Sequence, residues 1–466
     1  MVRFTAEEVA AATGAAPPAV VSPSASFEGV LTDTRALTPG SLFVALVGER
    51  FDAHGFLGEA AARGAAGAVV QSGRARATVP AGFPLFEVPD TLHALGNLGR
   101  AHRRRFSIPM AAVTGSNGKT STKEMIAAIL ATRGPALKTR GNLNNEVGVP
   151  LTLFGLEPGQ VAAVVEMGMN HRGEIARMVR YAEPDVGIIT SVGAAHLEFL
   201  GSVENIAEAK GELFAGLKPG ARAVVNLDDP PVVEQARKSG VAQLTYGRAP
   251  GAAVRLEGAR TVGSGGSALR VGYGGRTYEF QLPLLGAHNA QNACGAFAVG
   301  VAMGYGPDAC AQGLSRVESH PGRLHALAGR GETLVIDDSY NANPASMAAA
   351  LDTLESLAHG RRAVAVLGDM LELGPDEARE HAALGARAAA VAEKVAFFGP
   401  RSRSGFAEAS KGRGGSAAHF EEISALLLWL EAEVRPGDVI LVKASRGMRL
   451  ERAVEALTGQ APQGAH

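Results

Sequence analysis

The most specific chemical signal in the sequence is a glycine turn that contains a lysine and a threonine. Residues 114–120 read Thr-Gly-Ser-Asn-Gly-Lys-Thr, directly after the apolar run 110–113 and directly before a helical stretch. In a strand, turn and helix of this kind, backbone N–H groups and the helix N-terminus cradle phosphate groups. Lys119 can then reach the β- and γ-phosphate oxygens, and the Thr120 hydroxyl can bind Mg²⁺.

This turn predicts a nucleotide site in a shortened form of the P-loop pattern, because Val113 stands where the longer pattern has its leading glycine. A purely structural glycine turn is the alternative, but the strand before it and the helix after it favour phosphate binding. The predicted nucleotide contacts are Gly115, Ser116, Asn117, Gly118, Lys119 and Thr120.

Two further polar residues follow apolar runs of the same region. Glu166 comes directly after residues 161–165, and His196 comes shortly after residues 188–192. Ligands bind at the carboxyl ends of parallel strands, and a carboxylate at such a position suits Mg²⁺. A lone glutamate at a strand end is nevertheless more often a solvated or capping residue, and a lone histidine is more often structural. The residues alone leave both roles open.

Lys210 stands out because it interrupts an apolar helical stripe. The helical segment 203–217 carries apolar residues at helical spacing, and Lys210 lies in the middle of them. Burial would lower the pKa of this lysine and leave a neutral amine that can take up CO₂ to form a carbamate, an oxygen ligand for a metal. The alternative is that its aliphatic stem runs along the apolar face and its ammonium reaches water.

Three other polar segments are ambiguous on their own. Residues 286–292 open a helix with histidine and amides, residues 337–344 follow a strand with acids and amides, and residues 443–447 form a basic turn after the last strand. Each can cap a helix, as Asn343 would with a proline in the first turn. Each can equally present polar groups to a ligand at a sheet edge.

The elements that must position these residues indicate an α/β protein of three domains. Residues 1–107 predict a small α/β domain. Residues 108–326 alternate apolar runs with helical periodicity, which predicts a mostly parallel sheet with antiparallel strands appended over 251–283. Residues 327–466 repeat the α/β rhythm and predict a second, Rossmann-like sheet, with an exposed loop over 399–416.

Composition excludes several classes of protein. The chain has 466 residues and a formal net charge of −1, so it carries no overall basic footprint for nucleic acid or an anionic membrane. Its two cysteines, Cys294 and Cys310, lack metal-ligand spacing and predict buried free thiols in a reducing compartment. With no apolar run of membrane-spanning length and an acidic N-terminal segment, we expect a cytoplasmic protein without membrane insertion.

Taken together, the motifs resemble the Mur ligase family, the ATP-dependent amide ligases of peptidoglycan synthesis. The resemblance covers nearly the whole chain, from Asp33-Thr34-Arg35 through the glycine turn to the basic turn after the last strand. Asn144-Asn145-Glu146 and the segment 338–344 resemble the member that adds D-alanyl-D-alanine. The Asp-Asn-Pro-Arg segment expected of a diaminopimelate-adding member is absent from the last domain.

The resemblance implies a role for each ambiguous residue. Lys119 and Thr120 would bind the ATP phosphates, and Thr120 and Glu166 would bind a first Mg²⁺. His196 and carbamylated Lys210 would hold a second Mg²⁺. Lys119, Lys210 and His196 would be the catalytic residues. The implied adenine, phosphate and ribose contacts are His288, Asn289, Asn292, Arg323 and Asp338. The implied contacts for the other substrates are Asp33, Thr34, Arg35, Asn144, Asn145, Tyr340, Asn343, Lys443, Ser445 and Arg446.

The implied reaction joins D-alanyl-D-alanine to a UDP-N-acetylmuramoyl-tripeptide through an acyl phosphate, with ATP and two Mg²⁺ ions as cofactors. We expect a monomer that takes these two substrates as its partners and binds no nucleic acid. The third residue of the tripeptide, diaminopimelate, lysine or ornithine, stays open. Two departures from the family pattern are Ala53 before His54 and Ser191 in place of asparagine. The first weakens the assignment of His54 to the nucleotide-sugar site.

Overall fold

The computed structural model describes residues 2–48, 51–74, 79–193, 200–411 and 416–460. In the N-terminal part, four short strands form a parallel sheet in the order β3-β4-β7-β8, beside two antiparallel pairs. The strands are β1 (Arg3–Thr5), β2 (Ser26–Glu28), β3 (Val30–Leu31), β4 (Leu42–Val44), β5 (Val47–Gly48), β6 (Phe51–Asp52), β7 (Gly67–Gln71) and β8 (Leu85–Val88). The α-helices are α1 (Ala6–Thr13), α2 (Leu57–Ala62) and α3 (Thr91–Arg103).

Two of the three α-helices of this part begin where the sequence supplies a side-chain cap. The Thr5 hydroxyl accepts from the N–H of Glu8, whose carboxylate accepts in return from the N–H of Thr5, and this capping box starts α1. The Asp90 carboxylate accepts from the first N–H groups of α3. The helix α3 then packs between the N-terminal sheet and the central part of the chain, since it contacts β7, α1 and two helices of the central part.

The central part is one large sheet with helices on both faces. Its strands are β9 (Met110–Thr114), β10 (Ala136–Lys138), β11 (Ala162–Glu166), β12 (Val186–Ile189), β13 (Arg222–Asn226), β14 (Ala242–Gly247), β15 (Val254–Thr261), β16 (Ser267–Tyr273) and β17 (Arg276–Leu282). Its α-helices are α4 (Lys119–Leu130), α5 (Gly148–Leu153), α6 (Glu174–Ala182), α7 (Val203–Ala215), α8 (Pro230–Ser239), α9 (Ala287–Ala302) and α10 (Pro307–Leu314).

The strand order in this sheet is β10-β11-β9-β12-β13-β14-β15-β16-β17, parallel from β10 to β15 and antiparallel from β15 to β17. The strands β9, β11 and β12 are buried along their whole length, as expected for parallel strands covered on both faces. Because β9 lies between β11 and β12, the residues that follow these three strands converge at one edge.

The C-terminal part is a second mostly parallel sheet, ordered β18-β19-β23-β20-β21-β22, with only β18 antiparallel. Its strands are β18 (His325–Ala328), β19 (Leu334–Asp338), β20 (Ala363–Gly368), β21 (Lys394–Phe398), β22 (Ala417–Phe420) and β23 (Val439–Lys443). Its α-helices are α11 (Pro344–Ala358), α12 (Glu377–Val391), α13 (Arg403–Ala409), α14 (Ile423–Glu433) and α15 (Glu451–Thr458).

The predicted α/β fold with a parallel central sheet, an antiparallel extension and a second parallel sheet is confirmed. The prediction of an exposed loop over 399–416 was wrong for its middle, where α13 forms because Gly405 and Ala409 pack into the domain. The two cysteines are buried and free, as predicted. No helix within the described ranges has the length and apolar character needed to cross a membrane.

Candidate active site

The glycine turn lies between the end of β9 at Thr114 and the start of α4 at Lys119, as its sequence predicts. Gly115 has φ +151°, and a Cβ at this position would lie 1.9 Å from Oγ1 of Thr190. Gly118 has φ +81°, and its Cβ would lie 2.5 Å from Oδ1 of Asn292. Glycine is therefore needed twice, because the backbone is left-handed and neighbouring side chains press against the turn.

The Lys119 ammonium donates hydrogen bonds to the carbonyl oxygens of Gly115 and Ser116, at 2.8 and 3.4 Å. Burial lowers the pKa of Lys119, and the positive charge of Arg323 acts in the same direction, whereas Glu166 opposes both. The turn thus presents a cation in a weakly solvated position, where it interacts more strongly with an anion than it would in water.

Glu166 ends β11 next to the turn and is 2% exposed. Its Oε1 accepts hydrogen bonds from the Thr120 hydroxyl at 3.1 Å and from Nδ2 of Asn144 at 2.9 Å. Its Oε2 is buried and has no hydrogen-bond partner among the described residues. A buried carboxylate oxygen without a donor is unfavourable unless a cation joins it. This oxygen and the Thr120 hydroxyl therefore fit a hard cation such as Mg²⁺.

Lys210 lies on α7 and is 1% exposed, so the structure places it inside the protein and not at the surface. Burial, aided by the charge of Lys119, lowers the pKa of Lys210 well below its usual value. His196, the other predicted ligand of a second ion, lies outside the described residues. Within the described ranges, no three His, Cys, Asp or Glu side chains lie together as a metal-binding group.

The residues expected at the adenine base lie in the first turns of α9. Asn289 is buried, and its Nδ2 donates to the carbonyl oxygen of Leu285 at 2.8 Å. Its Oδ1 accepts from Nδ2 of Asn292 at 3.3 Å, and Asn292 also presses on Gly118. Asn289 therefore also has a structural role, since it binds the backbone before α9 and the side chain of Asn292. His288 is exposed and lines the cleft.

Across the cleft, the carboxyl ends of β19 and β23 bring Asp338 and Lys443 together. The Lys443 ammonium donates to Oδ2 of Asp338 at 2.6 Å and to the Asn341 carbonyl oxygen at 2.8 Å. Burial raises the pKa of Asp338, although the Lys443 ammonium opposes this effect. The Arg323 guanidinium carbon lies over the Tyr340 ring, 4.3 Å from its centre, which is within the range of a cation–π contact.

These groups share one cavity of about 760 Å³ between the central and C-terminal sheets. From the predicted set it is lined by Ser116, Asn117, Gly118, Lys119, Thr120, Asn144, Asn145, Glu166, His288, Asn289, Asn292, Arg323, Asp338, Tyr340, Asn343 and Lys443. The Nδ2 group of Asn343 donates to Oδ1 of Asn117 at 2.7 Å, so the two walls touch directly.

Several predicted residues lie elsewhere or have a second task. Ser445 is buried, and its hydroxyl accepts from the N–H of Leu371 at 3.0 Å, so it ties two loops of the C-terminal part. Arg446 is exposed beyond the cavity lining, with its guanidinium 5.3 Å from the Tyr340 ring centre. Asn145 lines the cavity but also accepts from the N–H of Gly148 at the start of α5.

In the N-terminal part, Asp33, Thr34 and Arg35 form a surface turn away from the cavity lining. The Arg35 guanidinium makes a bidentate ion pair with Asp33 and lowers the pKa of that carboxyl to about 2. His54 is buried, with one ring nitrogen bound to Asp52 and the other accepting from the N–H of Gln71. Both ring nitrogens of His54 are therefore engaged within the protein.

The sequence analysis did not identify two residues that support the site, Thr190 and Asn226. The Thr190 hydroxyl lies within hydrogen-bond distance of the carbonyl oxygens of Thr114 and Asn117, at the two ends of the glycine turn, and can donate its one proton to either of them. Asn226, at the end of β13, donates to the Thr190 carbonyl oxygen and accepts from Gln291. Their position directly after apolar runs was the available signal, the same one that identified Glu166.

Comparison with known proteins agrees with this geometry. Residues 113–300 match the Mur ligase middle domain, and residues 322–446 match the Mur ligase glutamate ligase domain. The chain belongs to the Mur ligase family, as its motifs predicted, and is an ATP-dependent ligase that forms C–N bonds.

Individual relatives cover nearly the whole chain. The UDP-N-acetylmuramoyl-tripeptide–D-alanyl-D-alanine ligase of Escherichia coli (strain K12) is 39% identical over 93% of this chain and 94% of its own length. A crystal structure of MurF from Acinetobacter baumannii superposes with a TM-score of 0.88 and 30% identity, covering 99% of this chain and 100% of that one. A MurF structure from Thermotoga maritima in complex with ADP has a TM-score of 0.82 and 29% identity, and the match covers 92% of this chain and 96% of that one.

Proposed function

We propose that this chain joins D-alanyl-D-alanine to the terminal carboxylate of a UDP-N-acetylmuramoyl-tripeptide and converts ATP to ADP and phosphate. The observation that carries the proposal is the single cavity that contains the glycine turn and Glu166 on one wall and Asp338, Lys443 and Arg323 on the other. The printed name of the Escherichia coli relative supports these substrates. The motifs that resemble the D-alanyl-D-alanine-adding member support them independently.

The chemistry requires activation, because a carboxylate is a poor acyl donor. A carboxylate oxygen of the tripeptide attacks the γ-phosphorus, the bond from that phosphorus to the ADP oxygen breaks, and an acyl phosphate forms. The dipeptide amine then attacks the acyl carbon and loses a proton, which passes to the departing phosphate or to solvent, and phosphate leaves with the electron pair of the broken C–O bond. Lys119 and the N-terminus of α4 hold the phosphates in line and offset repulsion between the two anions.

Mg²⁺ fits the wall formed by Glu166 and Thr120, where a buried carboxylate oxygen has no donor. When bound there, the ion would neutralise phosphate charge. For a second ion we propose His196 and a carbamate on Lys210 as ligands; the burial and the lowered pKa of Lys210 support carbamylation, since both favour the reactive neutral amine. Lys210→Ala is then expected to lose most activity and to regain part of it with a small added carboxylate.

The remaining parts of the proposal concern the nucleotide sugar and the setting. Asp33, Thr34 and Arg35 would form part of the uridine-nucleotide site on the N-terminal sheet. His288, Asn289 and Asn292 would surround the adenine base. The three domains would divide near residues 107/108 and 326/327, and the protein would work as a monomer in the cytoplasm.

The decisive test is mass spectrometry of the products formed from UDP-N-acetylmuramoyl-tripeptide, ATP with Mg²⁺ and D-alanyl-D-alanine. We expect a pentapeptide nucleotide with one ADP and one phosphate per product. Lys119→Ala should abolish turnover while circular dichroism shows an intact fold. Rapid ATP hydrolysis with neither acceptor present would instead indicate an ATPase switch and refute the ligase assignment.

A further inference from the structure

We infer that Asn343 is a positioning residue that sets the orientation of the Asn117 amide in the glycine turn. This inference rests on the proposed function and concerns residues 226 positions apart in the chain. Their side chains form a direct hydrogen bond across the cleft, with 2.7 Å between Nδ2 of Asn343 and Oδ1 of Asn117. The contact therefore links the phosphate-binding turn to the N-cap residue of α11 in the C-terminal part.

The orientation of the Asn343 amide is fixed by a backbone group. Asn343 is the N-cap of α11, and its Oδ1 accepts from the N–H of Ser346 at 2.9 Å. The Ser346 hydroxyl accepts in return from the N–H of Asn343 at 3.0 Å, which completes a capping box. Because a backbone N–H can only donate, the oxygen of Asn343 must face Ser346, and its NH₂ group must face Asn117.

This orientation determines that of Asn117 in turn. An NH₂ group that donates to Asn117 requires the oxygen of Asn117 to face it, so the NH₂ group of Asn117 is directed elsewhere. No acceptor among the described residues is bonded to that NH₂ group, and Asn117 lines the cavity beside Lys119. The two amides thus form a relay from the backbone of α11 that leaves an N–H donor of the turn free for the phosphoryl group.

The choice of asparagine at position 343 supports the relay. Asparagine, aspartate and serine cap helices about equally well, so capping alone does not require an amide. Asparagine can accept from Ser346 and donate to Asn117 at the same time. Aspartate offers only acceptors, and the serine side chain is too short to reach across the cleft.

Two cap-preserving substitutions separate the relay from a structural role. In Asn343→Ser the contact is lost, but Asn117 can still rotate to present its NH₂ group, so we expect kcat to fall about fivefold. In Asn343→Asp the Asn117 amide must turn its NH₂ group toward the new carboxylate and its oxygen toward the phosphate, so kcat should fall at least about tenfold. The KM for D-alanyl-D-alanine should stay within about twofold in both, and both should melt like the wild type.

The Asn117→Ala background tests the mechanism, because it removes the amide through which Asn343 acts. There, Asn343→Asp should change kcat by less than about twofold. If Asn343→Asp still lowered kcat by about tenfold in that background, the added charge would be acting directly on the phosphates, and the inference would be overturned. An Asn343→Asp enzyme at least as active as Asn343→Ser, or a raised KM for the dipeptide with unchanged kcat, would also overturn it. A wild-type enzyme that forms no ligation product would refute the proposed function instead.

Discussion

Lys210→Met is expected to make the protein more stable and inactive at the same time. Lys210 is 1% exposed on α7, and the described residues offer no anion or carbonyl oxygen bonded to its amine. Burial of an amine without a partner costs about 1–3 kcal/mol, and methionine has a similar shape without that group. At neutral pH the Lys210 ammonium of the unfolded chain must also lose its proton on folding, which lowers the stability of the folded state further. The melting temperature should therefore rise by roughly 2–4 °C per kcal/mol.

The sign of the pH dependence tests the same reasoning. The pKa of Lys210 is well below its usual 10.5 in the folded state, so the unfolded state binds more protons between these two values. Wild-type stability should then rise with pH relative to the variant, by up to about 1.4 kcal/mol per unit, and level off above the unfolded pKa.

The assay is urea unfolding of both proteins at pH 7, 8 and 9 in buffer free of Mg²⁺ and bicarbonate, so that neither a carbamate nor a bound ion contributes. The advantage of Lys210→Met should be largest at pH 7 and smallest at pH 9. A less stable variant, or a difference that does not change with pH, would mean that the amine is paired in the folded protein and would refute the argument.

Three other substitutions probe the cavity walls. Gly115→Ala should abolish turnover and lower the melting temperature, because the new Cβ would clash with Thr190. Gly220 also has a positive φ but lies in open space, so Gly220→Ala should lower the free energy of unfolding by only about 1 kcal/mol, as measured by thermal unfolding. Lys443→Met should cost about 3 kcal/mol in urea unfolding by leaving the Asp338 carboxylate buried without its cation. That deficit should shrink as the pH falls toward 4, because removal of the Lys443 ammonium, which opposes the effect of burial, raises the folded-state pKa of Asp338 in the variant above its wild-type value, so the variant gains more stability on protonation. Glu166→Gln should raise the Mg²⁺ concentration needed for half-maximal activity, measured by titration, with an unchanged circular dichroism spectrum.

The sequence by itself determined the features that arise from neighbouring residues. The glycine turn, its flanking strand and helix, and the α/β rhythm of both sheets are local patterns, since helix and strand periodicities and turn residues act over a few positions. The position of Lys210 inside an apolar stripe was also readable, because one helix face contains the whole signal. That pattern did not determine whether the lysine is buried as a neutral amine or reaches water as an ammonium. The packing of α7 against the rest of the domain buries it.

The tertiary structure alone decided which distant residues meet. Strand order places Glu166 beside Thr120 and brings Lys443 to Asp338, and neither pairing follows from the spacing of these residues along the chain. The same holds for the contact between Asn117 and Asn343, which needs two sheets to face each other across a cleft. Tertiary packing also places the Ser445 hydroxyl against the N–H of Leu371 and not in the cavity. It likewise stabilises α13 within a segment whose composition predicts a loop. The physical reason is that such pairings depend on burial and sheet geometry summed over the whole fold, which no local pattern encodes.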